Sequence, residues 1–125
     1  MPRYRCLIVE DSQTMRAMLA ESLTRIPGME VVEADNGLVG IRVLATQQFD
    51  LVVTDLNMPV MDGLKLISLI RGEDNLKEMP ICVITTEGAT EDRERALALG
   101  ANEYLTKPIQ ANRVLAVAKS LLKVE

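Results

Sequence analysis

Five short aliphatic runs, at 4–9, 29–34, 50–54, 80–85 and 101–105, punctuate this chain, and a segment of helical period follows each one. Met15, Leu19 and Leu23 step by four after Asp11-Ser12, a pair suited to capping a helix start. Leu38, Ile41, Leu44 and Ala45 follow Asn36-Gly37, and Leu64, Ile67 and Ile70 follow Asp62-Gly63. Ala96 and Leu97 follow Thr90-Glu91-Asp92, whose early acids suit a helix N-terminus, and Val114, Leu115, Ala118, Leu121 and Leu122 close the chain. The pattern is βα five times over. Runs that are apolar throughout belong to strands buried on both faces, which requires a parallel sheet with helices on both sides. Gly28, Gly72 and Gly100 fall near helix ends, where a left-handed residue is expected. Strand order does not follow from periodicity, although right-handed crossovers restrict it.

With 125 residues the chain is expected to be one domain over 1–125, large enough for a single core. Its net charge is −4 and aromatics make up only 2%, so no basic, aromatic-laced surface for nucleic acid is expected. No apolar stretch approaches the roughly 20 residues that cross a bilayer. The start, Met1-Pro2-Arg3-Tyr4-Arg5, enters the first strand without a signal-peptide pattern, so a cytoplasmic location is expected. The chain has no histidine, which removes the usual zinc sites and the Ser-His and Cys-His nucleophile pairs. Cys6 and Cys82 lie in separate apolar runs and suit core packing rather than metal binding.

Polar groups stand at the C-terminal ends of four of the runs: Glu10 and Asp11, Asp55, Thr85, and Lys107. In an open α/β sheet that edge is where ligands bind. Two carboxylates near 4 Å repel by about 4 kcal/mol at an effective dielectric of 20, so three gathered there call for a cation. Few ligands, all of them oxygen, point to Mg²⁺, which keeps several waters and takes one or two carboxylates plus phosphate oxygens. Asp55 is then the candidate nucleophile toward phosphorus, with Lys107 and the Thr85 hydroxyl neutralising the phosphoryl oxygens. Each residue alone has a plainer reading. Glu10-Asp11 could be a solvated helix cap, Asp55 a turn residue, Thr85 a strand former, and Lys107 before Pro108 the start of a helix.

The stretches Leu7-Ile8-Val9-Glu10-Asp11-Ser12, Val53-Thr54-Asp55-Leu56-Asn57-Met58-Pro59-Val60-Met61-Asp62-Gly63, Val83-Ile84-Thr85-Thr86-Glu87 and Tyr104-Leu105-Thr106-Lys107-Pro108 resemble two-component receiver domains. The similarity is strongest to the single-domain chemotaxis regulators (CheY-like). The resemblance spans essentially the whole chain, with intervals of 44 residues from Asp11 to Asp55, 30 to Thr85 and 22 to Lys107. It implies the flavodoxin-like (βα)5 fold with strand order 2-1-3-4-5. It further implies that Asp55 accepts phosphate from a histidine kinase, and that Glu10, Asp11, Asp55 and the Asn57 carbonyl hold Mg²⁺. Thr85 and Lys107 would bind the phosphoryl group, Tyr104 would be the switch aromatic, and Asn57 and Glu87 would flank the path of the hydrolytic water. Two positions depart from the family's habit: Glu10 replaces the usual aspartate, and Thr86 is bulkier than the small residue often found there. With the implied order, the strands of Cys6 and Cys82 are separated by the one bearing Asp55, at about 10 Å, so no disulfide is expected.

The implied output is control of a downstream protein by a monomer, with a phosphorelay intermediate or a receiver excised from a larger regulator as alternatives. A haloacid-dehalogenase-type phosphatase shares the aspartate, Mg²⁺, hydroxyl and lysine. It needs an acid two residues after the nucleophile, where this chain has Asn57.

Overall fold

The computed structural model describes residues 3–58, 60–86 and 88–124. Ten elements alternate along them: β1 (Tyr4–Val9), α1 (Gln13–Leu23), β2 (Met29–Ala34), α2 (Gly37–Thr46), β3 (Leu51–Asp55), α3 (Gly63–Gly72), β4 (Ile81–Thr85), α4 (Thr90–Leu99), β5 (Glu103–Thr106) and α5 (Ala111–Leu122). The strands form one parallel sheet in the order 2-1-3-4-5. This is the flavodoxin-like doubly wound fold. No helix among the described residues is long and apolar enough to cross a membrane.

Successive strand residues point to opposite faces, and the core divides accordingly. Leu7, Val9, Val52, Ile81 and Val83 pack with Leu44 of α2, Leu66, Ile67 and Ile70 of α3, and Ala96 of α4. Cys6, Ile8, Leu51, Val53, Cys82 and Ile84 pack with Leu19 and Leu23 of α1 and with Val114, Val117 and Ala118 of α5. β3 and β4 are buried along their whole length, which is why their runs are apolar rather than alternating. Cys6 and Cys82 are buried and free, on strands separated by β3.

The helix starts follow the chemistry of their caps. The Ser12 side chain accepts from the Met15 N–H, Asn36 from Val39 and Asp62 from Lys65. α4 has no side-chain cap, and Glu91 and Asp92 lie in its first turn, where negative charge favours the helix.

The structure corrects the sequence expectation in three places. Of the glycines, Gly100 is the left-handed cap of α4 (φ 116°), and Gly28 is left-handed (φ 82°) but four residues beyond the cap of α1. Gly72 is simply the last helical residue of α3. The fifth strand begins at Glu103, not 101, because Ala101 donates to the Ala96 carbonyl and closes α4. Asn102 spends its side-chain oxygen on the Ile81 N–H and on Arg71. The third and fourth strands each start one residue later than expected, at Leu51 and Ile81. Asp50 stays outside β3, its carboxylate accepting the Arg5 N–H.

Candidate functional site

Four of the strands stop together at one edge of the sheet, and their last or next residues are polar. Asp55 and Thr85 end β3 and β4, Glu10 follows β1, and Lys107 follows β5. The Lys107–Pro108 peptide bond is cis, and α5 begins only at Ala111, so Lys107 belongs to the loop and not to a helix start. Carboxylate oxygens of Glu10, Asp11 and Asp55 lie within 4.8 Å of one another. Asp55 and Glu10 are each 1% exposed, whereas Asp11 stands in solvent. The Lys107 ammonium donates to Asp55 Oδ2 at 2.8 Å, and the Asn57 N–H donates to Asp55 Oδ1 at 3.0 Å.

The backbone holds this arrangement from beneath. The Leu56 N–H bonds the Ile84 carbonyl, and the Gly63 N–H returns to the Leu56 carbonyl, which folds the β3–α3 loop back over the strand end. A Cβ on Gly63 would collide with the Asp55 carbonyl and the Leu56 Cα, so the close approach requires glycine. The Lys107 N–H bonds the Thr85 carbonyl at 2.8 Å, which carries the β4–β5 pairing to the site. Arg16 steadies the acid pair: its Nη1 donates to the Glu10 carbonyl at 2.8 Å and its Nε to Glu33 at 3.2 Å.

The electrostatics are those of crowded acids around one ammonium. The Glu10 carboxyl rises from its ordinary 4.5 to about 8, chiefly because it is buried. The neighbouring Asp55 carboxyl adds to the rise, the Ser12 N–H on Glu10 Oε2 opposes it, and Asp11 adds to it again. Burial alone would lower the Lys107 ammonium. Its hydrogen bond to Asp55 and the charges of Asp55, Glu10 and Asp11 outweigh that and raise it.

Glu10 Oε1 is buried without any hydrogen-bond partner among the described residues. An acceptor left bare beside two further carboxylates, with only oxygen donors present, fits a small hard cation such as Mg²⁺.

The remaining candidates are placed as follows. Thr85 is buried beside the site, but its hydroxyl is turned to the Leu105 carbonyl at 3.5 Å rather than to Asp55. Asn57 is exposed, with its main chain against Asp55. Tyr104 is half-buried on β5, beneath Arg93, whose Cζ lies 4.8 Å from the ring centroid. Thr86 is exposed at the rim. Glu87 lies outside the described residues.

Sequence reasoning passes over Arg16 and reads Arg93 only as part of the mixed-charge helix face Glu91-Asp92-Arg93-Glu94-Arg95. Arg16 was findable as a cation one turn past the Ser12 cap. Arg93 was findable because it stands three residues before buried Ala96, and so on the sheet-facing side of α4.

The family model for the response regulator receiver domain matches residues 6–119. A "Chemotaxis protein CheY homolog" of Campylobacter jejuni is 38% identical over 105 residues, covering 83% of this chain and 81% of that protein. "Transcriptional regulatory protein PrrA" of Mycobacterium tuberculosis is 35% identical over 119 residues, which cover 95% of this chain but half of that protein. The crystal structure of the chemotaxis response regulator CheY4 of Vibrio cholerae superposes with a TM-score of 0.87 at 30% identity, covering 94% of this chain and 98% of that one.

Proposed function

The chain belongs to the response regulator receiver domain family, and we propose that within a two-component system it accepts a phosphoryl group on Asp55 from a histidine kinase. The observation that carries this reading is a nearly inaccessible Asp55 set among two further carboxylates, with the Lys107 ammonium on one oxygen and the Asn57 N–H on the other. Those two contacts fix the carboxylate at the end of β3, the positioning a nucleophile needs.

In the forward step an Asp55 oxygen bonds to phosphorus as the P–N bond of the phosphohistidine breaks, and the departing imidazole takes up a proton. Lys107, a third exposed, has room to follow the charge from Oδ2 to a phosphoryl oxygen. The Thr85 hydroxyl, bound only weakly to Leu105, is free to turn to another. Glu10, Asp11, Asp55 and the Asn57 carbonyl would hold Mg²⁺, which when bound screens the acids and the incoming phosphoryl charge. In the return step water attacks phosphorus, releases inorganic phosphate and restores the carboxylate. The family resemblance gives Asn57 and Glu87 the task of flanking its approach. The domain catalyses only its own loading and unloading, and Asn57 offers no acid for a phosphatase leaving group.

Phosphate on Asp55 would draw Thr85 toward the site and let Tyr104 turn inward, which reshapes the α4–β5–α5 surface read by a downstream protein. Residues 1–125 would form one monomeric receiver domain. Half-coverage of the PrrA regulator is what favours the second reading, a receiver acting within a larger protein or a phosphorelay.

The test is incubation with acetyl phosphate and Mg²⁺, followed by intact mass. One phosphate should appear and be removed by hydroxylamine, and Asp55→Asn should take up none. Stoichiometric labelling of Asp55→Asn would overturn the assignment. Asn57→Arg and Glu87→Lys should slow the decay of the phosphate, and unchanged decay in both would remove that pair from the hydrolytic path.

A further inference from the structure

The run Glu91-Asp92-Arg93-Glu94-Arg95 looks like a solvated helix face, but the structure divides its charges unequally. Glu91 and Asp92 both turn to Arg95, at 3.9 Å each. Arg93 has no carboxylate partner among the described residues. It lies over the Tyr104 ring instead, 4.8 Å from the centroid and within cation–π range. Tyr104 pairs with Val83, two residues before Thr85 on the same face of the sheet. The Thr85 hydroxyl is turned to the Leu105 carbonyl and away from Asp55, and the Tyr104 ring stays half-exposed beside Arg93, the arrangement expected before switching.

We infer that Arg93 is a latch on Tyr104: its guanidinium stabilises the outward ring and so opposes the inward state that phosphorylation favours. The inference rests on the proposed role of Tyr104 as the switch aromatic. A side chain biases a two-state element only through contacts that differ between the states. The Arg93–Tyr104 stack is such a contact, because a ring that turns beneath the sheet edge leaves the guanidinium behind. An exposed cation–π pair corresponds to about two- to fivefold in the equilibrium between the two ring positions. Where the inward state is the minor one, loosening the latch lowers the apparent dissociation constant of any ligand that requires that state by the same factor. Arg93 is therefore a positioning residue that sets how much phosphorylation is needed to switch.

The chain makes this directly measurable, since it has two tyrosines and no tryptophan. In a Tyr4→Phe background, tyrosine emission comes from Tyr104 alone. The probe is beryllofluoride, a tetrahedral stand-in for the aspartyl phosphate, titrated at fixed Mg²⁺ and followed by that emission. Arg93→Ala and Arg93→Met should each lower the midpoint about two- to fivefold, with Arg93→Lys falling between them and wild type. Arg93→Met retains an aliphatic contact with the ring, so its result separates the charge from packing. Midpoints equal to or above wild type, with a clear emission change, would overturn the latch and leave the switch role of Tyr104 standing. No emission change even in the Tyr4→Phe parent, while beryllofluoride still raises its melting temperature, would remove Tyr104 as the switch and the latch with it. The absence of any melting shift would defeat the receiver reading itself, and the latch along with it.

Discussion

Without a bound cation, Glu10 should make the folded protein lose stability as pH rises, and Glu10→Gln should abolish that dependence. The Glu10 carboxyl stands near 8 in the folded protein against an ordinary 4.5, so the folded state holds more protons than the unfolded state between those values. Stability therefore falls as pH increases through that window, and the penalty is complete above about pH 8. At 1.36 kcal/mol per pH unit, the interval from 4.5 to about 8 sets a ceiling of about 5 kcal/mol. Relaxation and water entry around the ionised Glu10 recover part of that, so a loss of about 2–4 kcal/mol is the working expectation. Against a total of about 5–15 kcal/mol for a domain of this kind, that is a large fraction. The assay is urea unfolding of wild type and Glu10→Gln at pH 5 and pH 8 in buffer with a chelator. The variant should match wild type at pH 5 and exceed it at pH 8. Mg²⁺ added at pH 8 should restore wild type more than the variant, since binding to the folded state stabilises by mass action. Parallel pH profiles for the two proteins would refute the reasoning.

Other perturbations probe the frame that holds the site. Val60 is 79% exposed and has φ 71°, so Val60→Gly gives up no packing. It should gain up to about 1 kcal/mol, the left-handed strain of a β-branched residue less the added freedom of glycine; an unchanged or lower urea midpoint contradicts this. Asn102→Ala orphans the buried Ile81 N–H and should cost about 1–3 kcal/mol by the same measurement, while a loss below a few tenths would mean water replaces the amide. Burial raises both thiols, that of Cys82 to about 12, so neither should react with a disulfide reagent until denaturant is added. An intramolecular Cys6–Cys82 disulfide in the folded protein would contradict the intervening β3.

The alternation of apolar runs and helical segments was enough to predict a parallel, doubly wound sheet, because strands buried on both faces leave no room for polar residues. The strand order came from the family resemblance, since periodicity says nothing about which strands are neighbours. The clustering of Glu10, Asp11, Asp55 and Lys107 was legible because each stands at the end of a run and parallel strands end on one side. The side-chain directions were not legible. The turn of the Thr85 hydroxyl toward Leu105 and the bare Glu10 Oε1 depend on rotamers fixed by packing. The late start of β5 escaped notice because Ala101 and Asn102 are apolar or neutral enough to pass for strand, and only the hydrogen bonds of Asn102 to Ile81 and Arg71 show it acting as a bracket. Gly72 misled for the opposite reason: no φ constraint acts there, and a Cβ would meet nothing within 4 Å.

Tyr104 and Leu105 are neighbours on β5, yet they face opposite ways. Tyr104 packs with the layer of α2, α3 and α4, and Leu105 with that of α1 and α5. The sheet between them acts as a bulkhead. A ring that turns at Tyr104 disturbs one compartment, and the other, sealed by Ile84, Val114 and Ala118, keeps its packing. Under the proposed switch, an aromatic hinge on the α4 side and an anchor on the α5 side of the same strand would let the molecule change its face without loosening its frame. That division would give so small a domain two surface states on one core.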